Sequence, residues 1–152
     1  MTATNIKNSI LTFLAAIGSF IANQLGGWDA ALAVLVAFMA IDYLTGVLVA
    51  LVFHASTKTE GGGLSSQAGL KGLVRKGVVL LVVWVAALLD GLTGVQYVRT
   101  AVILFFIGNE GLSICENIGL MGVPLPKFLA KALEAMKKQN DETPGNGEET
   151  RK

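Results

Sequence analysis

The chain has 152 residues, of which 53% are hydrophobic and only 15% charged, where soluble domains carry about a quarter charged residues. A formal net charge of +1 excludes the broad basic field of a nucleic-acid-binding protein. One cysteine, Cys115, rules out an internal disulfide and a multi-cysteine metal site, and one histidine cannot supply a His-rich cluster, so neither metal nor cofactor is expected.

The first apolar segment is residues 10–25 (ILTFLAAIGSFIANQL). It falls short of the about 20 residues that a bilayer-crossing helix needs, and spans only with its polar flanks included. Lys7 followed by the run Ile10 to Ala22 also fits a secretory signal, but bulky Phe20 and Ile21 stand where a small-residue cleavage site is required. The link GGWD leads into the second segment, residues 30–53, which is long enough to cross outright. The third, residues 77–94, starts with GVVLLVVWVAALL and closes on a turn marked by Asp90, Gly91, Thr93 and Gly94. The fourth, residues 97–121, joins the apolar run AVILFFIG to the polar stretch NEGLSICEN.

Lysine and arginine concentrate on the cytoplasmic side of membrane proteins. With four crossings and the N-terminus inside, Lys7, Lys58, Lys71, Arg75, Lys76, Lys127, Lys131, Lys137, Lys138, Arg151 and Lys152 all fall in the cytoplasm, and Arg99 alone falls opposite. The two outer links carry Asp29 and Asp90. The expectation is an all-α integral membrane protein with a transmembrane domain over residues 1–124, four transmembrane helices and both termini cytoplasmic. A three-crossing chain with a peripheral first segment is the alternative.

Between the second and third segments, HASTKTEGGGLSSQAGLKGLVRK has the glycines and lysines of a phosphate loop but neither the G-x-x-x-x-G-K-[ST] spacing nor a preceding strand. It reads as a flexible cytoplasmic link whose Arg75 and Lys76 anchor a helix end at anionic headgroups. No nucleophile–base–acid set or dinucleotide fingerprint is present, so an enzyme is not expected. Beyond Pro124 and Pro126, residues 125–138 place Phe128, Leu129, Ala132, Leu133 and Met136 on one helical face and Lys127, Lys131, Glu134 and Lys138 on the other, with Lys137 adding to the basic charge. This suits an amphipathic helix lying on the membrane surface, or one packed on the protein's own loop. Residues 139–152 have almost nothing to bury and read as a disordered cytoplasmic tail.

A charged side chain at a helix centre costs about 2.5 to 3.5 kcal/mol on the insertion scale, while each large aliphatic residue returns about 0.3 to 0.6. The fourth segment carries Arg99, Glu110 and Glu116, more than its apolar run offsets. Asn109, Ser113 and Asn117 recur every four residues with Glu110 and Glu116 flanking the row, and Arg99 precedes Glu110 by close to three whole turns. That row must face partner groups in a helix bundle or water in a pore. Asp42 puts another ionisable group near the centre of the second helix, within IDYLTG, where Gly46 allows a neighbouring helix to approach. Asp42 is read either as a pairing group for that neighbour or as a protonated residue bonded within its own protomer.

IDYLTG at Ile41 to Gly46, SSQAGLKGLVRK, LLDG at Leu88 to Gly91, and NEGLSICEN followed by GVPLP occur in that order over roughly residues 40–130. In these blocks the chain resembles the phage lysis and toxin-secretion holins of the multi-helix kind. The resemblance implies a protein of the bacterial cytoplasmic membrane that accumulates harmlessly and then associates with copies of itself into lesions. An endolysin, or in relatives a toxin, leaves through them without any required direct contact; the partners are membrane lipid and self, with no nucleic acid. Two other classes fit the residues: a small ion or drug transporter using Asp42 or Glu110 as its binding carboxylate, or a membrane assembly subunit that recruits a partner through the basic tail.

Overall fold

A computed structural model describes residues 3–59, 61–131 and 134–135. Among them are four long helices and no strand: α1 (Ala3–Gln24), α2 (Ala30–Leu48), α3 (Ser66–Thr93) and α4 (Val98–Leu120). Each is long and apolar enough to cross a membrane; the second does so with the π-helical turn Val49–Phe53 that extends α2.

The helix starts follow from side-chain caps. Asp29 stands before α2 in an extended conformation and accepts from the Leu32 amide at 2.8 Å. Ser65 does the same for α3, accepting from the Ala68 amide at 3.4 Å. That cap starts α3 eleven residues before the expected position of 77, within what read as a flexible link. The first turns of α3 therefore pass close to Tyr43 on α2: a Cβ at Gly69 would stand 3.5 Å from the tyrosine hydroxyl. α3 closes at Gly94, whose φ of +73° gives the left-handed end that glycine adopts without strain. The first amides of α4 are satisfied from a distance, since the Asp90 carboxylate accepts from both Val98 and Arg99 at 3.0 Å. α4 ends at Leu120, with Gly122 in the left-handed region, before either proline is reached.

α2 and α4 run parallel, with α3 antiparallel to both. Asp29 meets Arg99 where α2 and α4 begin, and Asp42 meets Asn117 further along both. Their shared core is small: Leu32, Leu35 and Met39 of α2 pack with Val83 of α3 and Ile103 of α4, closed at one end by Leu25. Most other large apolar side chains of α2, α3 and α4 point outward, the inside-out pattern of a bundle solvated by lipid rather than water. α1 stands apart from this bundle. None of its membrane-length window is buried against the rest of the chain.

The segment expected to lie at the interface is helical over residues 127–131, with Phe128 70% exposed and Lys127 and Lys131 exposed. Ala132, Leu133, Met136, Lys137, Lys138 and the tail 139–152 lie outside the described residues.

Candidate functional site

Two ionic clusters join the helices, one at each end of the core. At the start of α4, Arg99 is buried to 8% exposure and its guanidinium is fully engaged. Nε donates to the Leu25 carbonyl at 2.5 Å, one terminal nitrogen to Asp29 Oδ2 at 2.5 Å and the other to the Gly27 carbonyl at 2.9 Å. The planar fork of arginine thus ties the α1–α2 link to the head of α4. Gly26 permits it, with φ +87° and a Cβ position only 2.8 Å from Arg99 Cδ and Nε, where no side chain fits. Asp29 is the exposed half of this clamp; the hydrogen bond from Arg99, reinforced by the Leu32 amide, holds its carboxyl below the usual aspartate range.

The second cluster lies eleven residues further along α4, about 16 Å at the helical rise. Lys76 of α3 places its ammonium between two carboxylates, donating to Asp42 Oδ2 of α2 at 2.8 Å and to Glu110 Oε2 of α4. All three side chains are nearly buried, at 12%, 11% and 8% exposure for Lys76, Asp42 and Glu110. Asn117 closes the group one side further, its amide donating to Asp42 Oδ1 and the Asp42 carbonyl, both at 3.2 Å, and to Thr45 Oγ1 at 2.9 Å. Thr45 in turn donates back to the Asp42 carbonyl at 3.0 Å. Among the described residues no buried side-chain nitrogen or oxygen lacks a partner, as burial in a medium without water demands.

Beside this cluster opens a cavity of about 660 Å³ between α2, α3, α4, the π-helical turn and the α2–α3 link. Asp42, Lys76, Asn109, Glu110, Ser113 and Asn117 are among its lining residues, together with Lys58, Lys71 and Arg75. The link holds its shape through Gly62, where φ is +68° and a Cβ would fall 2.0 Å from the His54 carbonyl oxygen.

The polar positions expected from spacing are therefore divided by the fold. Glu110 and Asn117 are buried with Asp42, Ser113 is half-buried on the same cavity, and Asn109 is exposed at its rim. Glu116 is half-buried. Arg99 does not join them: helical phase puts it in line with Glu110, but the α1–α2 link reaches it first. Gly46 does face α4, yet a Cβ there would sit 3.7 Å from the Asn117 amide nitrogen, an ordinary contact, so the crossing does not require glycine at that position. The clearest correction is Lys76. Expected at the lipid headgroups beside Arg75, it turns into the bundle, because the early start of α3 moves it from a helix end to the third turn; Arg75 remains exposed. Lys76 and Thr45 are the partners that spacing alone missed, although two membrane carboxylates and a lysine on the intervening helix were a readable signal.

Against known proteins, residues 19–138 match the bacteriophage holin family. The chain belongs to that family. Among its relatives, a probable holin of Bacillus phage phi105 is 38% identical over 103 residues, covering 67% of this chain and 70% of the phage protein. Two uncharacterized proteins of Clostridium perfringens are similar at 39% over 118 residues and 37% over 134 residues, covering 76% and 87% of this chain and 82% and 96% of their own lengths. No solved structure matches this holin-family chain. The family match begins inside α1 and takes in both ionic clusters, so Asp42, Lys76, Arg99 and Glu110 all fall within the matched region.

Proposed function

We propose that this holin-family protein oligomerises in the bacterial cytoplasmic membrane and opens lesions through which an endolysin, or a toxin, leaves the cell, so triggering lysis. The carrying observation is Lys76 held between Asp42 and Glu110 inside a bundle whose outer surface is apolar. Taking one charge into hydrocarbon costs about 2.5 to 3.5 kcal/mol even on the gentlest scale. In the single protomer that cost is met by pairing. The cluster is also next to a cavity, so a modest parting of α3 from α2 and α4 exchanges pairing for hydration.

Crowding then supplies the trigger. Isolated protomers keep Asp42, Glu110, Ser113 and Asn117 turned inward; at high density, neighbouring bundles share a wet lumen lined by those residues, with Asn109 and Glu116 at its edges. States with the row facing acyl chains are sparsely populated, which makes the transition abrupt. Both termini are cytoplasmic in this reading, and Arg75, Lys127, Lys131, Lys137 and Lys138 lie near anionic headgroups on that side. No catalytic step and no direct grip on the endolysin is required.

The test is expression in bacteria together with a cytoplasmic muralytic enzyme, following membrane potential and culture turbidity. The chain is expected to collapse the potential abruptly and release the enzyme. Glu110→Leu, which leaves the Asp42–Lys76 pair in place, is expected to enter the membrane fraction normally and to delay or abolish lysis. Unchanged timing overturns the scheme. A sealed membrane with saturable, pH-dependent movement of a small cation would favour a transporter instead.

A further inference from the structure

The α2–α3 link is folded on itself. The Ser56 amide donates to the Gly62 carbonyl at 2.9 Å, the Gly62 amide to the Thr59 carbonyl at 3.1 Å, and the Thr59 hydroxyl to the Gly63 carbonyl at 2.9 Å. Held in this way, the link brings Lys58 to the same cavity as Lys71 and Arg75, which stand one turn apart on α3. All three cations are exposed, and none makes an ion pair among the described residues. The carboxylates described on that cavity, Asp42 and Glu110, are both engaged by Lys76. Its exposed side thus gathers positive charge with no anion of the chain's own to balance it.

The hydroxyls beside these cations add donors. Ser65 Oγ accepts from the Ala68 amide at 3.4 Å and Ser56 Oγ from the Lys58 amide at 3.3 Å, so in each a lone pair is used while no described group accepts the proton. Ser65 also caps the 28-residue α3, whose positive end lies on the same side. At the helical rise α3 is about 42 Å long, more than the about 30 Å of a bilayer's hydrocarbon, so its basic first turns stand at headgroup depth. Val74 and Val78 line the cavity too, yet are 58% and 52% exposed, so an apolar wall runs from it onto the outer surface of the bundle.

Unbalanced cations, spare hydroxyl donors and an apolar wall open to the side match the phosphodiester of an anionic phospholipid. Its oxygens accept from the cations and hydroxyls, and an acyl chain covers the valines. A free phosphate leaves the wall unused, and a zwitterionic lipid brings a cation of its own to a place already rich in them. We propose that the cavity between the α2–α3 link and α3 is a binding site for one anionic phospholipid, its headgroup held by Lys58, Lys71 and Arg75 and its chain laid along Val74 and Val78. The site is more than the general attraction of basic residues to a membrane surface. It requires only that the chain spans a bilayer, and it stands or falls apart from the opening of lesions.

The test uses the full-length chain in a neutral detergent, with native mass spectrometry counting bound lipid as phosphatidylglycerol is added. Phosphatidylglycerol is expected to saturate at one molecule per chain and to bind at least about tenfold more tightly than phosphatidylcholine. Inorganic phosphate is expected to displace it no better than chloride of equal ionic strength; specific displacement by phosphate would make a free anion the ligand and overturn the lipid site. Lys71→Gln combined with Arg75→Gln is expected to weaken binding about tenfold or more, and the charge-matched pair Lys127→Gln and Lys131→Gln less than about threefold. Equal losses in the two pairs overturn the site in favour of diffuse surface charge. Val78→Trp crowds the apolar wall without touching a charge and is expected to weaken phosphatidylglycerol as well; unchanged binding there overturns the place assigned to the acyl chain. Circular dichroism checks that each variant keeps its helices. Lys58→Gln, in the link rather than in a helix, is expected to weaken binding about threefold, so the site is still decided if the double variant misfolds.

Discussion

At one end of the bundle Arg99 spends its guanidinium on two loop carbonyls and a half-exposed aspartate; about 16 Å along α4, Lys76 holds two carboxylates that both come from helix interiors. The first arrangement is a brace. Its partners are backbone groups of the α1–α2 link that have to be satisfied in any case, and its acid has water within reach. The second links α2, α3 and α4 through Lys76 and its two carboxylates and lies against a cavity. A buried ion group stabilises little relative to an apolar core of the same shape, yet losing one member is costly. On the mechanism proposed above, the braced end stays closed and the charged end opens.

The largest effect is expected from Lys76→Met, which leaves Asp42 and Glu110 facing each other without a cation. Stripping one partner from a buried ionic group costs about 3–5 kcal/mol, a large share of the about 5–15 kcal/mol that holds a domain folded. Unfolding of the detergent-solubilised protein, followed by circular dichroism against wild type, measures it. Adding Asp42→Asn and Glu110→Gln to Lys76→Met is expected to recover stability but not lysis, which separates holding the bundle from wetting it. If Lys76→Met alone is as stable as wild type, the two ends do not differ in the way described.

Much of this contrast was readable in the residues, and what was not has a physical cause. The four helices are visible because their apolar runs are long and are bounded by turn residues such as Asp29 and Gly94. Glu110 and Asn117 stood out because charge and amide in an apolar helix demand partners. Lys76 was misplaced because the link before it, rich in glycine and serine, has weak helix propensity, yet Gly69 and Gly72 lie within α3 beside Tyr43. The Arg99 clamp was hidden for another reason: two of its partners are carbonyls, and carbonyls of a turn carry no sequence signature.

Arg99→Met is expected to do less damage than Lys76→Met. The carbonyls of Leu25 and Gly27 stand at the end of the bundle, where water or headgroups can replace the guanidinium, so the loss is about 1–3 kcal/mol rather than the cost of a stranded charge. Amide exchange should rise selectively over Leu25 to Asp29 while the α2–α4 core stays protected. Lysis timing should shift less than for Glu110→Leu. A shift as large as that of Glu110→Leu would mean that the brace also governs opening.

The smallest effect sharpens the brace itself. Asp29 titrates below its usual 3.8 in the folded chain, chiefly because Arg99 bonds its charged form. A carboxyl lowered in this way adds stability that is complete above the unfolded value and is lost as pH falls through the folded one. Asp29→Asn keeps the cap on α2, since asparagine accepts from the Leu32 amide equally well, and removes only the charge. Wild type should therefore unfold at a slightly higher temperature than Asp29→Asn near about pH 6, with the gap closing in acid below 3.8. Because the Asp29 side chain is 49% exposed, salt should shrink the gap as well. A gap that persists unchanged into strong acid, or resists salt, would mean that the Asp29–Arg99 contact acts through shape rather than charge, and the two ends of the bundle would then differ in geometry alone.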